Sequence, residues 1–77
     1  MDNRTAELLA NLLDAVTAKK AGDQGFIQHP VEGIPEWEDV RIIVEVARQR
    51  GYFDHVEEVL GAKIHYFLTQ EGADLMG

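Results

Sequence analysis

The chain has 77 residues, 45% of them hydrophobic, with fourteen Asp and Glu against seven Lys and Arg, for a formal net charge of -7 at pH 7. That length supports one domain spanning residues 1–77, near the lower limit for a core without metals or disulfides, and the lack of cysteine excludes a disulfide framework, a thiolate zinc site and a cysteine nucleophile. The acidic balance opposes sequence-independent binding to nucleic acid, whose phosphates require a positive footprint, and with no membrane-spanning apolar run the expected location is cytoplasmic.

In chain order, residues 4–20 carry Leu8, Leu9, Leu12, Leu13 and Val16 on one side and Glu7, Asn11 and Asp14 opposite, the period of an amphipathic helix. Lys19 and Lys20 suit its C-terminal dipole, and Ala21-Gly22 is its expected end. Asp23-Gln24-Gly25 reads as a turn. Phe26 to Val31 is too short for a helix and contains Pro30, so it is expected to be an edge strand or extended connector.

Pro35 suits the first position of a second helix, with Glu36, Glu38 and Asp39 complementing the positive end of its dipole. Trp37, Val40, Ile43, Val44 and Ala47 recur at three- and four-residue steps, and Ile42 and Val46 widen that apolar stripe. Arg48, Gln49 and Arg50 close the last turn and Gly51 ends it.

Phe53–Val59 and Lys63–Leu68 are β-capable runs around Leu60-Gly61-Ala62, the pattern of a hairpin. A turn centred on Gly61-Ala62 sets Glu58 opposite His65 and puts Ile64, Tyr66 and Leu68 on one face. Thr69 is placed to cap a short last helix from Gln70 to Met76, with Leu75 and Met76 returning to the core.

The helix ending in Arg50-Gly51-Tyr52-Phe53, the hairpin, and the segment Leu68-Thr69-Gln70-Glu71-Gly72-Ala73-Asp74-Leu75 together resemble the back half of a winged-helix domain of small bacterial and phage regulators. The resemblance spans residues 35–75 and implies an α+β fold in the order helix, short strand, helix, hairpin (the wing), short helix. It also implies DNA contacts by Arg41, Arg48 and Arg50 on the central helix and by Lys63 on the wing. One departure stands out. Where that family carries a further helix before the recognition helix, this chain has only Val31-Glu32-Gly33-Ile34, and a helix-turn-helix depends on that first helix to seat the second. Either the helix is reduced to a turn, or residues 35–50 fill its slot.

The candidate residues have plainer roles beside these. Glu45 lies at helical spacing from both Arg41 and Arg48 and is expected to pair with both. Lys63, beside Glu57 and Glu58, serves equally as a charge that discourages strand-to-strand aggregation. Glu36, Glu38, Asp39, Glu57 and Glu58 form a candidate acidic surface that would dock a basic partner or imitate a nucleic-acid backbone. His29, His55 and His65, even with Glu58, match no common metal-ligand spacing, and no phosphate loop, nucleophile elbow or triad is recognisable. Trp37, Tyr52, Phe53, Tyr66 and Phe67 are needed for the core of so small a domain before they are free to stack on bases.

The expectation is a non-enzymatic regulatory module, without cofactor or metal, acting through protein contacts, monomeric or as a homodimer, of a size that suits a phage or mobile-element accessory protein. The alternative is a small regulator that binds double-stranded DNA through its central helix and wing.

Overall fold

In the computed structural model, which describes Met1 to Gly77, three helices and a three-stranded antiparallel sheet alternate along the chain: α1 (Asn3–Asp14), β1 (Gln24–Gln28), α2 (Trp37–Gln49), β2 (Phe53–Val59), β3 (Lys63–Leu68) and α3 (Gln70–Met76). The sheet order is β1-β3-β2, so β3 is central and β1 and β2 are its edges. Ile27, Phe53, Ile64, Tyr66 and Leu68 point from the sheet into one core with Leu9 and Leu12 of α1 and Val40, Ile43, Val44 and Ala47 of α2. The helices therefore cover one face of the sheet. No helix is long and apolar enough to cross a membrane.

The first helix is shorter than the residues 4–20 expected from its period. It begins at Asn3, where the Asp2 carboxylate accepts the Thr5 N–H at 2.7 Å, and it ends at Asp14. What stops it is tertiary. Val16 and Ala18 turn into the core, and the N–H groups of Thr17 and Ala18 donate to the buried Tyr66 hydroxyl at 3.3 and 3.5 Å. The β-branched pair Val16-Thr17 gives up little helix propensity in exchange. Lys19 and Lys20 consequently do not close a helix; their N–H groups donate to the Asp23 carboxylate at 3.2 Å.

The expected edge strand is present but shifted, beginning at Gln24 and ending before the cis His29–Pro30 bond. Val31 to Ile34 is a tight turn, closed by the Ile34 N–H to the Val31 carbonyl at 3.0 Å, with both apolar ends buried. Residues 31–34 thus contain no helix. Pro35 is not the first helical residue: Glu36 is the extended N-cap, so α2 starts at Trp37. At the other end Gly51, at φ 82°, lets the Tyr52 N–H reach the Ala47 carbonyl and the Gly51 N–H reach that of Arg48, a Schellman closure.

The hairpin register differs by one residue from expectation. Gly61 and Ala62 both take positive φ, but the loop holds three residues, pairing Val59 with Lys63 and therefore Glu57, not Glu58, with His65. A bulge at His55 and Val56, with His55 at φ 50°, separates this register from the Asp54–Phe67 pair. Lys63 lies on the central strand rather than an edge, its ammonium 4.7 Å from the centre of the Phe26 ring.

Thr69 caps α3 as expected, accepting the Gly72 N–H at 3.0 Å, while its hydroxyl donates to the Gly51 carbonyl. Its own N–H donates to the Tyr52 carbonyl at 3.1 Å. Met76 packs on the core; Leu75 does not, and stays half exposed at the rim of a groove shared with Leu13 and Val16.

Candidate interaction surface on the second helix and hairpin

The buried stripe of α2 leaves Glu38, Arg41, Ile42, Glu45, Arg48 and Gln49 facing solvent. Arg41 sits between the helix and the sheet edge: its Nε donates to Glu58 of β2 at 2.7 Å and its NH1 to Glu38 at 3.1 Å. Those two bonds, the one to Glu58 foremost, raise the guanidinium pKa above its ordinary value. Arg48 makes a fork to Glu45, with Nε to carboxylate at 2.9 Å, which raises the Arg48 pKa and lowers that of Glu45. Of the two arginines Glu45 thus holds only Arg48, with Gln49 also donating to it at 3.4 Å, while Arg41 pairs with Glu58 and Glu38.

The five expected acidic residues do not form one patch. Glu58 points to the helix side of the sheet and joins Glu38 through Arg41, whereas Glu57 lies on the open side opposite His65. Asp39 accepts Arg4 of α1 at 2.8 Å, tying the two helices together. Glu36, at the N-cap, is exposed and makes no capping bond. Of the four expected cationic contacts, Arg41 and Arg48 are neutralised by the chain's own carboxylates, Lys63 covers Phe26 on the sheet's open face, and Arg50 is exposed at the C-cap of α2.

Two apolar residues complete the surface. Ile42 is 52% exposed on α2 and Leu60 is 99% exposed at the hairpin tip. Leu60, Val59, Gly61 and Ala62 line a shallow depression whose far wall is the Arg41–Glu58 pair. Neither residue was expected as a contact; Ile42 was grouped with the buried stripe. The signal for it was nevertheless present, since at about 100° per residue Ile42 stands about 150° from the centre of the stripe made by Val40, Ile43, Val44 and Ala47. Leu60 had no signal beyond being a leucine in a turn.

The histidines are spread over the fold. His29 packs edge-on against Trp37, His55 against Phe67, and His65 near Phe26, at ring-centre distances of 5.9, 5.5 and 6.2 Å. Comparison of the chain with models of protein families, with curated proteins and with solved structures returns no match.

Proposed function

We propose that this chain is a non-enzymatic, winged-helix-like regulatory module that acts through protein contacts, using the exposed face of α2 together with the tip of the β2–β3 hairpin. The observation that carries this reading is that Arg41 and Arg48, on the face where a recognition helix meets DNA, are paired with Glu58, Glu38 and Glu45 while Ile42 stands exposed among them. A guanidinium bonded to carboxylates must give up those bonds before it neutralises a phosphate, and the carboxylates left behind repel the backbone. An exposed isoleucine among ion pairs suits an apolar anchor on a partner, and the net charge of -7 favours a basic one.

The α+β order, the β1-β3-β2 sheet and the single turn before α2 support a winged-helix-like domain shortened at its first recognition element. The test is a salt titration of binding to mixed-sequence duplex DNA, comparing wild type with the double variant Arg41→Glu, Arg48→Glu. Absence of binding in folded protein at low ionic strength is expected. Affinity that falls steeply with salt and disappears in the double variant would replace this reading with a regulator that binds DNA through α2 and the hairpin. In parallel, Ile42→Asp is expected to abolish capture of the physiological partner while leaving the fold intact.

A further inference from the structure

The two edges of the sheet are built differently. The β2 edge is guarded: it carries Asp54, Glu57 and Glu58, and it is broken by the His55 bulge. The β1 edge has none of these devices. Gln24-Gly25-Phe26-Ile27-Gln28 contains no charge, no proline and no bulge against β3. Its hydrogen bonds can be followed from both ends. Leu68 N–H reaches the Asp23 carbonyl and His29 N–H the Ala62 carbonyl, so by antiparallel alternation Gly25 and Ile27 turn their backbone groups to β3, and Gln24, Phe26 and Gln28 turn theirs outward. No other part of the chain bonds to those outward groups, and all three residues are exposed. A neutral, unbroken, unpaired edge is a template for another strand.

We propose that the strand it takes is β1 of a second copy, paired antiparallel about a two-fold axis through Phe26, so that two sheets join into one. The sequence of the strand fits itself: Gln24 falls opposite Gln28 of the mate, Phe26 opposite Phe26, and Gly25 opposite Ile27, with each outward-facing pair exchanging both its bonds. The register then extends across the seam on the open face as Glu57, His65 and Phe26, followed by their mates in reverse order. Phe26, 47% exposed in one copy, is covered by its twin.

Charge selects the same seam. On a body of net charge -7, most surfaces repel a second copy, but β1 is neutral and the carboxylates of β2 lie two strands away on each side. At about 4.8 Å per strand the two β2 strands are about 24 Å apart, well beyond the ~8 Å screening length of physiological salt. The pairing is independent of the partner surface proposed above, since α2 meets the sheet at the β2 edge through Arg41 and Glu58.

Sedimentation and light scattering over about 1 µM to 1 mM should show the mass rising from 8.6 kDa toward twice that value, with a midpoint near ~100 µM, as suits a small seam. Amide exchange followed by NMR identifies the seam: Gln24, Phe26 and Gln28 N–H become protected as concentration rises, while Gly25 and Ile27 are protected throughout. Phe26→Lys sets two like charges face to face and is expected to weaken association by at least about 10-fold. Because it also reduces the net negative charge, it would strengthen any association limited by general repulsion. Circular dichroism unchanged from wild type confirms that the variant is folded. A mass of 8.6 kDa at every concentration, a dimer in which those three amides keep their monomer exchange rates, or an unweakened Phe26→Lys dimer would each overturn the proposal.

Discussion

Replacing Gly72 by Ala tests whether helix propensity or close approach governs the last helix. Gly72 is buried in α3, and Ala there would gain about 0.5 to 1 kcal/mol from the backbone entropy that glycine loses on folding. The added Cβ, however, lies 2.4 Å from the Tyr52 carbonyl oxygen and 2.7 Å from Leu68 Cδ1, inside the 3.0 Å that a real Cβ tolerates. Leu68 has rotamers to try; the Tyr52 carbonyl does not, since it is held by the Thr69 N–H at 3.1 Å and belongs to the loop that closes α2. Relief requires α3 to lift, which breaks that bond and loosens the Thr69 cap. A lost backbone bond and a weakened cap are worth about 1 kcal/mol each, and overpacking adds about 1 to 3 kcal/mol. Less the propensity gain, the net cost is about 2 to 4 kcal/mol, a large part of the stability of so small a domain, and corresponds to a Tm lowered by roughly 10 to 30 °C. Thermal and urea unfolding, followed by circular dichroism and the fluorescence of Trp37, measure it. A Gly72→Ala protein as stable as wild type, or more so, would refute the argument and show that α3 shifts without loss.

Three further outcomes are expected. Tyr66→Phe removes the acceptor of the Thr17 and Ala18 N–H groups while keeping the ring stacked on Phe53 at 4.4 Å, and it should cost about 1 to 2 kcal/mol by urea midpoint, with faster amide exchange at residues 17 and 18. Leu12→Ala, at a fully buried position between α1 and α2, should cost about 2 to 5 kcal/mol in the same measurement. On the acid side, the Asp2 carboxyl is held below 3.8 by the Thr5 N–H and Glu45 below 4.5 by Arg48, so both contribute stability above those values and lose it as pH falls through their folded pKa; an Asp2→Asn, Glu45→Gln protein should show a shallower loss of stability with acid.

What could be read from the sequence was local. Thr69 and Gly72 lie three residues apart, and the cap they make forms as their spacing requires. The alternation of Ile64, Tyr66 and Leu68 put the right face of β3 inward because period two depends on neither register nor partner. The α+β order was legible for the same reason. The misplaced features depend on distant groups. The end of α1 is set by a hydroxyl 48 and 49 residues away, and the pairing of Arg41 by Glu58, which only the folded hairpin brings to α2. The hairpin register differs by one because Leu60 joins Gly61 and Ala62 in the loop, and positive φ at the latter two would suit a two-residue turn as well, so their types did not set the loop length. Ile42 was different: its position on the helix was readable, and reading it as core set its hydrophobicity above its phase.

The residues that suggested the winged-helix resemblance satisfy one another. Gly51 gives the turn that exposes its carbonyl to the Thr69 hydroxyl, Tyr52 accepts the Thr69 N–H, and Thr69 caps the helix whose Gly72 leaves room for Tyr52. The backbone groups of Gly51 and Tyr52 and the Thr69 hydroxyl are all bonded at this junction. The motif describes how the end of α2 is fastened to the start of α3, and a fastening of this kind does not by itself fix what the domain binds. Both proposed contact surfaces lie outside it: the Ile42 and Leu60 surface beside the β2 edge and the open strand at the β1 edge. These lie on opposite sides of the sheet, so a pair joined through β1 would present two partner surfaces at its outer ends, and substitutions in the knot should lower Tm while those at Ile42 or Phe26 alter association alone.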